Sequence, residues 1–254
     1  MEKHSEKFRT WAIIIAAHLM VILAWHLWVT IAEVPTYVMP TPKMTIMSLA
    51  EDYNWVHNTL FTAAEIFGGY ILACIVGIGL ALFFAWFKKL EATMMPLVVS
   101  MNMIPKVALG PLFIVWFSYG MVPNIFIAFS ISFLPILLTT ARGLQETDPD
   151  LIDLVRSLRA SKWQVFTKIQ LPGALPFVFS GMKVAVVLAV AGAIVGEFIA
   201  SEEGLGYLML QVQVTLDTAA MFMAVLLITA IGVSLYGLVL LLERLFVVGD
   251  SRVE

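Results

Sequence analysis

The sequence predicts an all-α fold: a polytopic membrane helix bundle of about six transmembrane helices carrying a cytoplasmic two-helix loop. Three observations predict it. Hydrophobic residues make up 61% of the chain and charged residues 13%, with a mean hydropathy of +0.94, more apolar surface than a soluble core of 254 residues would need. Five or six apolar stretches reach the roughly 20 helical residues that cross about 30 Å of hydrocarbon. Lysine and arginine gather in the connections on one side, with Lys43 alone clearly on the other.

The chain divides into an N-terminal segment (1–56), a core transmembrane domain (57–245) and a short tail (246–254). The first span, near 11–31, has a long apolar run with no small-residue cleavage site before Glu33-Val34-Pro35, so it reads as a retained helix and not a secretory signal. Its His18 and His26 stand two turns apart, too far to share a metal. The second span, near 58–86, carries Gly68, Gly69, Gly77 and Gly79, which allow neighbouring helices close; the lone Cys74 within it reads as a small buried apolar residue. The third, near 93–118, is interrupted by Asn102, Pro105, Lys106, Gly110 and Pro111, the pattern of a broken or partly re-entrant span. The fourth lies near 122–141, with Pro135 marking a kink. The fifth, near 177–200, has close-approach glycines at 181, 192 and 196, and the sixth lies near 221–242. Trp11, Trp25, Trp28, Trp86 and Trp116 fall near span ends, where indole rings favour the interface.

Orientation follows from the cations, which tend to stay cytoplasmic. With the N-terminus inside, Lys3, Lys7, Arg9, Lys88, Lys89, Arg142, Arg156, Arg159, Lys162, Lys168, Arg244 and Arg252 are all cytoplasmic, and only Lys43 is clearly outside. Six spans then leave both termini in the cytoplasm.

The polar stretch from Asp148 to Pro176 lies between the fourth and fifth spans and reads as two short helices joined by a sharp break. Asp148 caps a helix that opens on Pro149, where the missing N–H costs nothing, and Leu151, Val155 and Leu158 fall on one face. Ser161-Lys162-Trp163-Gln164 fits an S-x-x-Q capping box, with Trp163, Phe166 and Ile169 available for burial and Leu171-Pro172 ending the second helix. This is the shape of a docking element, with Leu151, Val155, Trp163 and Phe166 as apolar knobs and Arg156, Arg159 and Lys162 as a polar rim.

Charges within spans cost on the order of 2.5–3.5 kcal/mol each on insertion scales and need a partner or a function. Glu65, Lys106 and Glu197 are the candidates to line a translocation pathway or hold its gate, Lys106 by attracting an anion; Lys183 also lies within or at the edge of a span. The reactive groups suggest no catalytic constellation, metal site or cofactor site. The net charge of −3 argues against nucleic acid as a partner.

The loop resembles that of the permease subunits of bacterial ABC importers, in particular the group handling nitrate, sulfonates, taurine and pyrimidine-type vitamin precursors. Such permeases carry a loop of the form E-A-A, three residues, G, nine residues, I-x-L-P. Here Asp153-Leu154-Val155 is followed by Arg159 and then by Ile169-Gln170-Leu171-Pro172 at matching spacing. Asp153 replaces glutamate and keeps the charge; Arg159 replaces glycine. Either Ala160-Ser161 and the cap make the break, or Arg159 adopts a backbone conformation that glycine takes more freely. Pro40-Thr41-Pro42, Ile104-Pro105-Lys106-Val107-Ala108-Leu109-Gly110-Pro111-Leu112, Gly196-Glu197-Phe198 and Gly204-Leu205-Gly206-Tyr207 extend the resemblance over roughly residues 36–245.

The resemblance implies a type I-like importer in the lipid bilayer. It would comprise two permease copies, expected as a homodimer, two ABC ATPase subunits each receiving one loop in a cleft, and an extracytoplasmic solute-binding protein. The loop residues implicated are Asp153, Leu154, Val155, Leu158, Arg159, Ala160, Ser161, Trp163, Phe166, Ile169, Leu171 and Pro172. The chain has no G-x-x-x-x-G-K-[ST] motif, so ATP hydrolysis is expected in the partner. The G-E-F and G-L-G-Y stretches lean toward a vitamin precursor, an aminopyrimidine or riboflavin-like molecule, over a small anion such as a sulfonate, taurine or nitrate. The alternative is an autonomous secondary transporter or channel, which accounts for the spans but not for the loop; a purely structural membrane scaffold is the third reading.

Overall fold

The computed structural model describes residues 2–146 and 148–247, and these contain helices and turns but no strand. The tail beyond 247, with Arg252, and the Arg156 side chain lie outside the described residues. Five of the described helices are long and apolar enough to cross a membrane, and a bent pair makes six if counted as one span. Packing divides the chain into two compact units, one built on the segment up to Trp55 with Leu208–Leu227, the other on Val56–Tyr207 with the stretch from Ile228 onward.

In the first unit, α1 (Glu2–Ile31) offers little for burial; only 6% of its apolar span is covered, as suits a helix whose solvent is lipid. Trp25 is its anchor, donating from Nε1 to the Pro40 carbonyl at 3.0 Å and packing its ring 5.6 Å from that of Phe222. The Pro40-Thr41-Pro42 stretch starts the short helix α2 (Pro42–Met47): Thr41 is the N-cap and accepts from the Met44 N–H at 3.3 Å, with proline in the first turn. Tyr53 donates to Asp217 Oδ2 at 2.7 Å, and this bond, more than burial, pushes the phenol up to about 12. Asp217 uses its other oxygen to cap the last helix, accepting from the Ala220 N–H at 3.0 Å.

The second unit holds α3 (Trp55–Trp86, from Val56 onward), α4 (Lys88–Asn102), a 3₁₀ turn (Lys106–Leu109), α5 (Gly110–Phe117), α6 (Met121–Gln145), α7 (Pro149–Ser157), α8 (Lys162–Val165) and α9 (Leu171–Ala200). It also takes in the start of α10 (Leu205–Val214) and the later part of α11 (Thr218–Phe246). The interrupted third span is broken as its sequence suggests: α4 and the Lys106–Phe117 stretch meet at 78°. Pro105, extended at ψ 110°, cannot continue α4, and the residue before a proline is pushed out of the helical region.

The α6–α9 pair forms the centre of this unit, and small residues let it close. A Cβ on Gly192 would stand 2.7 Å from the Ala128 Cα, and one on Gly196 3.0 Å from the Asn124 Cα. The glycine face of α3 meets α6 similarly: a Cβ on Gly69 would fall 3.0 Å from the Ile125 carbonyl oxygen. Gly79 differs from the expectation, since nothing lies within 4 Å of it; it sits two residues from Gly77 and so on another side of the helix.

Leu171-Pro172 does not end the second loop helix. One continuous helical rod runs over Lys162–Ala200, 39 residues. A π-helical turn at Phe166–Gln170 makes this possible, with the Leu171 N–H bonded to the Phe166 carbonyl, one residue further back than in an α-helix. The wider turn falls where the Pro172 ring would press on the carbonyl four residues earlier, and it absorbs the missing donor without a break.

Candidate functional site

The loop between α6 and α9 is built by its caps. Asp148 Oδ1 accepts from the Asp150 N–H at 2.9 Å and starts α7. At the other end of α7 the Ala160 N–H reaches back to the Val155 carbonyl at 3.1 Å, closing a six-residue C-terminal motif around Arg159. Arg159 is left-handed, φ +61°. Of the two ways to make the break, the chain uses the backbone strain of Arg159, and also the cap: Ser161 Oγ accepts from the Gln164 N–H at 3.2 Å while Gln164 Oε1 accepts from the Ser161 N–H at 2.8 Å.

These caps hold an amphipathic surface. Leu151, Leu154, Leu158 and Trp163 are exposed, Leu158 at 73% and Trp163 at 63%. Asp153, Arg159, Ser161, Lys162 and Pro172 are exposed beside them, and Ala160, Ile169 and Leu171 are half-buried. Two residues expected as outward knobs turn inward. Val155 is half-buried on α7, because at about 100° per residue it lies on the far side of Leu151 from Leu154 and Leu158. Phe166 packs its ring edge-on to Trp86 at 5.8 Å, and Trp163 also contacts Trp86 at 6.1 Å. The aromatic trio ties the loop to the end of α3, a contact between distant segments that sequence spacing could not show.

Of the three intramembrane charges, the fold brings two together. Glu65 on α3 is fully buried and Glu197 on α9 is 1% exposed, with their carboxyls in hydrogen-bonding reach. Asn124 Nδ2 donates to Glu65 Oε1 at 2.7 Å, whereas Glu65 Oε2 has no donor among the described residues. Among the described residues the pair is met by Thr62, Asn124 and the backbone N–H groups of Gly206 and Tyr207.

Glu197 also caps α10. Its Oε2 accepts from the Gly206 N–H and from the Tyr207 N–H at 3.4 Å. The Leu205 N–H donates to Thr62 Oγ1 at 2.8 Å and the Gly204 N–H to Asn58 Oδ1 at 2.9 Å. Four successive donors at the helix start are thus met by side chains of α3 and α9, and a carboxylate at a helix N-terminus is favoured by the macrodipole. The two glycines are required: Gly204 sits at φ +103° against the Glu197 carboxyl, and a Cβ on Gly206 would stand 2.8 Å from Glu197 Oε2. The G-E-F and G-L-G-Y stretches are therefore one structure.

Lys106 does not join this pair. Its Nζ donates to the carbonyls of Met101, Asn102 and Ile104 at 3.2, 3.1 and 3.2 Å, closing the C-terminal end of α4. The partner that sequence reasoning missed is Glu243: Lys183 Nζ lies 2.9 and 3.1 Å from its two oxygens, bridging α9 and α11. Only a charged residue of opposite sign within each of two largely apolar helices hinted at it.

Comparison with known proteins accords with this architecture. Residues 59–248 match the family model described as binding-protein-dependent transport system inner membrane component. The chain is similar to a probable ABC transporter permease protein of Haemophilus influenzae, 32% identical over 85% of this chain and 89% of the relative. It is similar to the riboflavin transport system permease protein RibX of Chloroflexus aurantiacus, 34% identical over 90% and 87%. It also resembles the formylaminopyrimidine transport permease protein ThiX of Halalkalibacterium halodurans, 30% identical over 89% and 91%. Among solved structures, inward-facing conformations of the MetNI methionine ABC transporter share its fold with a TM-score of 0.58 at 20% identity, over 72% of this chain and 94% of the solved one. Broken third span, two-helix loop and matching sequence agree: the chain belongs to the binding-protein-dependent transport system inner membrane component family and is an ABC importer permease.

Proposed function

We propose that two copies of this chain form the membrane pathway of an ATP-driven importer, with one ATPase subunit docked on each loop and an extracytoplasmic binding protein delivering the solute. The observation that carries the reading is the 39-residue rod from Lys162 to Ala200. A loop whose exposed leucines and Trp163 seat in a moving partner would pass that motion directly into α9, with no flexible joint between. Closure of the two ATPase subunits then tilts the bundle, and alternating access follows from rigid-body rocking.

Burial favours gate-holding over direct solute contact for Glu65 and Glu197, which fasten the start of α10 to α3, α6 and α9. Lys106, spent on three carbonyls, serves the break in the third span. For the solute, the riboflavin and formylaminopyrimidine relatives support a heteroaromatic vitamin precursor; relatives named for aliphatic sulfonates and bicarbonate, at 25% and 29% identity, keep a small anion as the second reading.

The test is a pull-down of the tagged chain from native membranes beside Leu154→Ala/Leu158→Ala, which removes exposed side chains and leaves the Trp86–Phe166 contact intact. An ATPase that accompanies the native chain and is lost from the variant supports the reading. A native chain recovered alone, with uptake retained in liposomes without ATP, supports the autonomous transporter instead.

A further inference from the structure

The elbow where α3 gives way to α4 closes a cleft of about 890 Å³ against the loop. Trp86 and Phe87 form part of its wall, and Lys88, Lys89 and Lys162 bring three ammonium groups to it; among its described lining residues none is acidic. The helix that starts there is uncapped: Phe87 occupies the N-cap position of α4 and makes no side-chain hydrogen bond to the first turn. The helix dipole adds to the charge of the three lysines and favours an anion, outweighing the one acidic residue of the first turn, Glu91.

Depth says which anion. The α3 helix has 32 residues, about 48 Å at 1.5 Å per residue, longer than the roughly 30 Å hydrocarbon core, so its end reaches the headgroup layer. Trp86 and Phe87, each 49% exposed, are the amphipathic and apolar groups expected at that level. A second, mainly apolar groove of about 620 Å³ shares Lys88 and runs along α4 past Glu91 to Met95, Pro96 and Val99. A cationic cleft continuous with an apolar groove has the form of a phospholipid: phosphate at one end, acyl chain along the other.

We propose that this elbow binds an anionic phospholipid, with the phosphate among Lys88, Lys89 and Lys162, the glycerol region against Trp86 and Phe87, and one acyl chain in the α4 groove. Because Lys162 belongs to the loop and Lys88 to the end of the bundle, the lipid bridges the two and stiffens the loop on its span. The argument uses the membrane setting and the geometry alone, so it stands or falls apart from the ATPase reading.

The full-length chain in nanodiscs tests it, through quenching of tryptophan by brominated phosphatidylglycerol or brominated phosphatidylcholine at equal mole fraction. The expected result is severalfold stronger quenching by the anionic lipid, an excess that shrinks in Trp86→Phe. The excess should vanish in Lys88→Gln/Lys89→Gln/Lys162→Gln and survive when the same lysines become arginine. Lys162→Gln alone, lying outside the apolar spans, keeps the test open if the triple variant fails to insert, and should lose part of the excess. Equal quenching by the two lipids in the native chain, or an excess untouched by the glutamine variants, overturns the proposal. Loss of the excess on adding inorganic phosphate at constant ionic strength overturns it in favour of a soluble anion.

Discussion

Glu65 on α3 and Glu197 near the end of α9 are buried side by side, yet they do opposite jobs. Glu197 only accepts, from Thr62 and the N–H groups of Gly206 and Tyr207. Glu65 accepts from Asn124 through one oxygen and offers the other without a donor. The pair therefore predicts asymmetric substitutions. Glu65→Gln keeps an acceptor for Asn124 and supplies a permanent donor toward Glu197, so thermal stability in detergent should stay near that of the native chain. Glu197→Gln loses acceptor capacity in front of buried donors, each worth about 1–3 kcal/mol, and should lower the melting temperature and weaken uptake. Equal effects of the two would contradict the assigned roles.

Arg159→Gly should stabilise the loop. A non-glycine residue in the left-handed region costs roughly 1–2 kcal/mol, and Arg159 sits at φ +61° with its side chain exposed. Hydrogen exchange across residues 150–165 should slow in the variant; faster exchange would show that the guanidinium holds the turn.

Removing the Trp86 ring should loosen the loop without touching its outer face. Trp86→Ala takes away two edge-to-face contacts, each on the order of 1 kcal/mol beyond the area buried. Proteolysis in the loop should quicken, whereas Leu158→Ala should leave it unchanged because Leu158 is 73% exposed.

The Lys183–Glu243 pair predicts a strong coupling. Lys183→Met alone strands a nearly buried carboxylate and should cost on the order of 3 kcal/mol, while Lys183→Met/Glu243→Met should recover most of it. A double-mutant cycle on detergent melting temperatures measures this; additive losses would mean the two charges act separately.

Gly204→Ala should be more damaging than its size suggests. The added methyl meets the Glu197 carboxyl at a backbone φ of +103°, so both the cap of α10 and the turn before it must shift. Gly79→Ala, with nothing within 4 Å, is the matched control and should behave as native.

By itself the sequence determined the spans, the break in the third of them and both loop caps, because these depend on local rules. Apolar length sets what can cross a bilayer, Pro105 cannot extend a helix, and Asp148 and Ser161-x-x-Gln164 satisfy donors within a few residues. It also singled out Glu65, Glu197 and the two glycine motifs, since an uncompensated charge in an apolar run is conspicuous. Only the tertiary structure decided what these residues do. That Glu197 caps a helix beginning at Leu205, that Lys183 finds Glu243, and that Phe166 turns from the outer face to Trp86 all depend on which helices lie side by side. The run through Leu171-Pro172 shows the same limit from the local side. Proline ordinarily stops a helix, and only the π turn, widened before a long apolar rod that gains by staying continuous, lets the loop and the fifth span become one piece.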